Sequence, residues 1–157
     1  MLHITHYIAD TSSIINLQAA NQLRLLTQLS VAGHFKVPAR VIDELTGPGS
    51  EGKDPELARW VKKYQKDIEI PDAQIPDDVF AEIIRKYRVL TRGRRGLSAA
   101  DPQFVAALKY CSQANPGLVG LSDDAGVCRA CQEEGLPCIG WQEFIHRETG
   151  RPSWKAQ

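Results

Sequence analysis

An α/β fold, in which helices cover both faces of a mostly parallel central sheet, is what the sequence predicts, and three observations carry it. Short apolar, β-prone runs alternate with helix-patterned segments along the whole chain. Runs such as Leu118-Val119-Gly120-Leu121 are apolar throughout, as strands buried on both faces are. No internal repeat or low-complexity linker interrupts the alternation, and 157 residues suit one domain. The expectation is a single domain over residues 1–157, a three-layer α/β/α sandwich.

Each element has its own signal. Tyr7-Ile8-Ala9 reads as a strand, and Asp10-Thr11-Ser12-Ser13 supplies the cap and turn chemistry of a helix start. The apolar positions from Ile14 to Leu29 predict one or two helices. Phe35-Lys36-Val37-Pro38 reads as a second strand stopped by its proline. Ala39 to Leu45 follows as a helix ending at the Gly/Pro stop Thr46-Gly47-Pro48-Gly49. Leu57, Trp60, Val61 and Tyr64 share one face of a helix over Pro55–Lys66. Ile68-Glu69-Ile70 alternates like a short strand, and Asp77–Tyr87 reads as a helix with Val79, Phe80, Ile83 and Ile84 inward. A basic loop, Thr91 to Gly96, leads to a helix over Ser98–Cys111, with Ser98 as cap, Asp101 as the acid of a capping box and Pro102 in the first turn. After the Leu118 strand come a helix over Asp124–Glu134 closed by Gly135, a strand over Pro137–Gly140 and a last helix over Trp141–Arg147.

Composition narrows the function. Hydrophobic residues make up 43%, enough for a core. The 19 basic and 19 acidic residues cancel, so a nucleic-acid role has to come from local charge arrangement. No apolar run approaches the roughly 20 residues that span a bilayer, and the N-terminus lacks signal-peptide character. A cytoplasmic protein with reduced Cys111, Cys128, Cys131 and Cys138 is the expectation.

In open parallel sheets, sites form at the carboxyl ends of the strands. Asp10 ends the first strand there, and Asp123-Asp124 end the Leu118 strand. Glu44 lies one to two helical turns beyond the second strand, and Asp101 lies in the first turn of its helix. Carboxylates brought together oppose one another's ionisation. Hard divalent cations with oxygen preference, Mg²⁺ or Mn²⁺, remove that conflict. One or two such ions also lower the pKa of a bound water and hold a scissile phosphate. Taken singly, each acid has a plainer reading: Asp10 and Asp101 as helix caps, Glu44 as a solvated helix-face carboxylate.

The same residues carry a family resemblance that covers nearly the whole chain, Tyr7 to about Gly150. Tyr7-Ile8-Ala9-Asp10-Thr11-Ser12 looks like the opening strand of PIN-domain nucleases. Val37-Pro38 followed by Val41-Ile42-Asp43-Glu44-Leu45 resembles their second element, Leu97-Ser98-Ala99-Ala100-Asp101 their third, and Leu121-Ser122-Asp123-Asp124 their fourth, in a register that selects Asp124. At this length the chain is similar to the VapC-like toxins of toxin–antitoxin pairs. The resemblance implies a PIN-like α/β/α fold and a metal-dependent endoribonuclease. Asp10, Glu44, Asp101 and Asp124 would be catalytic, with Asp10, Asp101 and Asp124 on Mg²⁺ or Mn²⁺. Ser12, Ser122 and Asp123 would stand close by. RNA is the implied substrate, with a homodimer and an antitoxin protein as implied partners.

Other features have two readings. Arg92, Arg94 and Arg95 form the densest basic cluster, either a solvated loop or an RNA-phosphate-contacting edge near Asp101. Cys128 and Cys131 make a CxxC with Cys138 seven residues on. Placed mid-helix without a second CxxC or a nearby His, they read as packed thiols rather than a zinc or redox site. His3, His6, His34 and His146 form no metal or triad spacing. An aspartyl phosphatase would need a second acid two residues after Asp10, where Ser12 stands. A receiver domain would need a paired acid near the first strand and a lysine at the last, and a dinucleotide-binding module a GxGxxG after the first strand. The remaining alternative is a PIN-like module that binds RNA or a protein partner without cleaving.

Overall fold

The computed structural model describes residues 6–48, 54–91 and 99–150. Five strands form one sheet: β1 (His6–Ala9), β2 (Phe35–Pro38), β3 (Glu69–Ile70), β4 (Leu118–Leu121) and β5 (Cys138–Ile139). The sheet order is β3-β2-β1-β4-β5, and every pairing is parallel. Between the strands run α1 (Thr11–Ala19), α2 (Leu23–Val31), α3 (Ala39–Thr46), α4 (Pro55–Ile68), α5 (Asp77–Lys86), α6 (Ala100–Ala114), α7 (Ala125–Glu133) and α8 (Trp141–Thr149).

The strands divide their side chains between two cores. Tyr7, Ala9, Val119 and Leu121 point into one cluster with α1 to α4 and α8. Ile8 and Leu118 point into another with α5, α6 and α7. This is the two-residue period of a strand, with an apolar layer on each side. It explains why the β4 run shows no alternation in its sequence, since all four residues are buried. The result is a three-layer α/β/α sandwich. Gly120 allows α6 its close approach: a Cβ there would lie 2.7 Å from Leu108 Cδ2 and 3.1 Å from Phe104 Cζ. Phe104 is fully buried in that contact, worth about 1.5–3 kcal/mol for a side chain of its size.

The structure settles the one-or-two-helix alternative and differs from expectation in detail elsewhere. The apolar stretch Ile14–Leu29 is two helices, broken where Asn21 takes φ +59°, a left-handed turn that asparagine tolerates. Only Ile83 of the α5 stripe is fully buried, with Val79 and Phe80 packed partly against the second core. Helix α6 starts at Ala100, and its N-cap is Ala99, which has no side chain to accept a hydrogen bond and sits at φ +53°. Ser98, the expected cap, lies outside the described residues. Among the described residues, no helix is long and apolar enough to cross a membrane.

Candidate active site

The central strands carry the backbone ladder just past their own ends. The Asp10 N–H donates to the Leu121 carbonyl at 3.1 Å, and the Ser122 N–H donates to Ile139 at 3.0 Å. Asp10 and Ser122 therefore leave the sheet side by side at its carboxyl edge. This is also where the connections diverge, since β1 leads towards β2 on one side and β4 towards β5 on the other.

Asp10 is extended and caps α1. Its Oδ1 accepts from the Ser13 N–H at 3.0 Å and from the Ser12 hydroxyl at 3.2 Å. The residue is only 2% exposed. Burial raises its pKa above the ordinary carboxylate value, opposed by hydrogen bonds from Ser122, Ser13 and Ser12. Among the described residues no cationic side chain pairs with it. Ser122, itself buried, links two acids: its hydroxyl lies against the Asp10 carboxyl, and its Oγ accepts the Asp124 N–H at 3.1 Å.

Glu44 and Asp124 each connect to this edge through a hydroxyl group, that of Thr11 and that of Ser122. The Thr11 hydroxyl donates to Glu44 Oε1 in a short hydrogen bond, so the half-buried Glu44 of α3 meets the chain one residue past Asp10. Asp124 caps α7, its Oδ1 accepting from the Val127 N–H at 3.0 Å, and it is exposed. Asp101 is half-buried in the first turn of α6. The neighbouring Ala100 is buried in the first core. Asp10, Asp101 and Asp124 thus share helix N-termini, where the helix dipole favours negative charge. The cap reading of Asp10 and Asp124 holds in the structure. Asp123 has a separate use: its Oδ2 accepts the Trp141 N–H at 3.1 Å at the start of α8. Arg92, Arg94 and Arg95 lie outside the described residues.

Sequence reasoning missed a second feature beside Glu44, a cleft of about 260 Å³ lined by Arg40, Asp43, Glu44 and Asp72. The Arg40 guanidinium lies over the Phe80 ring, 5.2 Å from its centroid. The buried Gln103 of α6 accepts the Arg40 N–H at 2.8 Å, and its amide N–H donates to Asp72. The signal was available: Gln103 is the polar residue inside an otherwise apolar buried run from Pro102 to Leu108.

The cysteines converge behind the same edge. Cys128 Sγ donates to the Ser122 carbonyl at 3.4 Å, and Cys138 lies against Cys131 and Cys128. Burial, followed by its neighbour Cys138, pushes the Cys128 thiol up to about 11. The Cys131 contact and burial push Cys138 upward too. Protonated thiols are poor nucleophiles, in keeping with core packing.

In donor chemistry the edge fits a hard divalent cation, since carboxylate and hydroxyl oxygens surround the buried Asp10 charge. The acids are not gathered into a cage. Among the described residues, no group of three or more His, Cys, Asp or Glu side chains stands placed to hold a metal ion.

No family model and no curated protein matches the chain. The fold has a solved counterpart in the crystal structure of PAE2754 from Pyrobaculum aerophilum, with a TM-score of 0.57 at 16% identity, over 94% of this chain and 92% of that one. At that identity the likeness speaks for the fold alone.

Proposed function

We propose that the chain is a metal-dependent endoribonuclease of the PIN type, acting through Asp10, Glu44, Asp101 and Asp124. The observation that carries this reading is Asp10, a buried carboxylate without a cationic partner among the described residues, at the edge where parallel sheets build their sites. Burying an unpaired charge costs several kcal/mol unless the group is protonated or a cation arrives. Asp10, Asp101 and Asp124 would hold Mg²⁺ or Mn²⁺, which when bound neutralises phosphate charge and acidifies a water. Glu44, held by the Thr11 hydroxyl, would serve as the general base of the site. Ser12 and Ser122 fix the Asp10 carboxyl, and Ser122 ties it to the Asp124 turn. The arginines Arg92, Arg94 and Arg95 would bind RNA phosphates in this reading, and the toxin role, with an antitoxin partner and a homodimer, belongs to the same proposal.

A second reading is a PIN-like module that binds RNA or protein without cleaving, favoured by the ungathered acids. Incubating the protein with single-stranded RNA and Mn²⁺ or Mg²⁺ separates the two. Cleavage that EDTA abolishes and that Asp10→Asn and Asp124→Asn remove supports the nuclease. RNA binding without cleavage in either metal favours the module.

A further inference from the structure

The start of α3 has a capping problem. Its N-cap is Pro38, which has no side-chain acceptor, so the first backbone N–H groups of the helix need partners from elsewhere. Gln103 supplies one from another helix, its Oε1 accepting the Arg40 N–H at 2.8 Å. The other end of the same amide donates to Asp72, in the 3₁₀ turn Asp72–Gln74 that follows β3. Both partners dictate how the amide faces: a backbone N–H requires its oxygen, and a carboxylate requires its nitrogen. At 3% exposure, Gln103 loses water on both sides, so either partner's loss leaves a polar group unsatisfied.

The amide sits where two acid-bearing helices meet. Gln103 is two residues beyond Asp101 on α6, and Arg40 is one helical turn before Glu44 on α3. The two helices pack against each other. Arg40 is fixed further by its ring contact with Phe80 of α5.

We infer that Gln103 is a positioning residue for the candidate active site, an amide clamp between Arg40 and Asp72 that sets how α3 presents Glu44 relative to Asp101 of α6. This rests on the nuclease reading for the use made of those acids. The clamp has a donor–acceptor polarity, and that polarity can be reversed. Gln103→Glu keeps an acceptor for the Arg40 N–H and opposes a second carboxylate to Asp72. Adding Asp72→Asn restores a donor–acceptor pair with the roles exchanged, at almost unchanged volume.

The test compares wild type, Gln103→Glu, and Gln103→Glu with Asp72→Asn, at a temperature where all three are folded by circular dichroism. Mn²⁺ affinity is measured by calorimetry and Arg40 amide exchange by NMR. Gln103→Glu is expected to weaken Mn²⁺ binding about tenfold or more, the scale on which groups orienting metal ligands act. The double variant is expected to regain most of that loss. Arg40 amide exchange is expected to quicken in the single variant and slow again in the double. A double variant that regains Arg40 amide protection but binds Mn²⁺ no better than the single one overturns the positioning role. If wild type binds no Mn²⁺, the nuclease reading falls, and the exchange data judge the clamp by themselves. Restored protection in the double variant then upholds it, and unchanged Arg40 exchange in the single variant overturns it.

Discussion

Two carboxylates at opposite ends of α7 meet burial in opposite ways. Glu134, just past its C-terminus, is met by Lys109 Nζ at 2.7 Å, Lys86 Nζ at 3.5 Å and the Tyr87 hydroxyl. Burial alone would raise its pKa, but the hydrogen bonds from Lys109 and Tyr87 and the charges of Lys109 and Lys86 hold it below the ordinary value. Asp10 reaches α7's other end through Ser122 and Asp124, and meets only hydroxyls and a backbone N–H. Its pKa is raised, with burial the main cause. The first carboxylate has its countercharge built into the chain, and the second has none among the described residues. In the nuclease reading, that missing partner is what separates a structural ion pair from a site open to a cation.

The largest effect should separate them in activity. Asp10→Asn keeps the α1 cap, since asparagine caps as well as aspartate, and removes only the charge. In the nuclease reading, RNA cleavage should fall at least about a hundredfold, beyond the usual cost of losing a ligand's supporting group. Glu134→Gln should leave cleavage within about threefold of wild type, the usual scatter for a site away from the chemistry. A cleavage loss in Glu134→Gln as deep as that in Asp10→Asn would dissolve the contrast.

In stability without added metal, the order should invert. Glu134→Gln leaves Lys109 facing a neutral amide in a partly buried site and should cost about 1–3 kcal/mol, read from urea unfolding. Asp10→Asn should raise the melting temperature at neutral pH by relieving an uncompensated charge. The pH dependences should also oppose each other. Glu134 has a lowered folded pKa, so its contribution is present above its unfolded value and is lost as pH falls through the folded one. Asp10 has a raised folded pKa, so the folded state binds its proton more tightly, and stability from this group improves as pH falls from neutral towards that value. Melting curves across the acid range, wild type against each variant, read both slopes. An Asp10→Asn variant less stable than wild type at neutral pH would mean that the fold already compensates the Asp10 charge, and the contrast with Glu134 would be lost.

A smaller contrast lies between adjacent acids. Asp123→Ala removes the acceptor for the Trp141 N–H and should cost about 1 kcal/mol as a lost helix cap, seen in urea unfolding. Asp124→Asn keeps its own cap on α7 and should cost little stability while losing Mn²⁺ affinity. Equal Mn²⁺ losses in Asp123→Asn and Asp124→Asn would show that the register does not distinguish them.

The smallest expected change is at Ala99. Its φ of +53° is a conformation that disfavours any side chain, so Ala99→Gly should stabilise by up to about 1 kcal/mol. If it destabilises instead, flexibility gained at the entrance to α6 outweighs the strain relieved.

Much of this was legible in the sequence. Apolar runs gave the strands, and acids placed just after Ala9 and Leu121 gave the edge of the sheet, because strand ends and helix caps leave local marks. Glu44 could be placed only by its distance from Pro38, and its Thr11 partner is a contact 33 residues away in sequence. The left-handed Ala99 ahead of α6 was not legible, because an alanine carries no sign of a positive φ. Gln103 is marked only as a polar residue in an apolar run, and its partners lie 63 and 31 residues away. The thiol cluster likewise needs Cys138 from β5 to meet α7, which spacing along the chain does not convey.

The order of the strands has a consequence for synthesis. β1 contains the first described residues, yet one of its two partners is β4, with His6 opposite Leu118 and Ala9 opposite Leu121. Parallel pairing across such a separation forms slowly, because a long loop must close before its contacts are gained. On the ribosome, Asp10 is made early and waits for Ser122, and until β4 docks it remains at the edge of an unfinished sheet, solvated and ordinary. The burial that sets its chemistry apart is completed from the last quarter of the chain. A nascent fragment that ends before Leu118 carries Asp10, Glu44 and Asp101 without the strand and the serine that enclose the first of them, so in the nuclease reading any activity of this edge waits for β4.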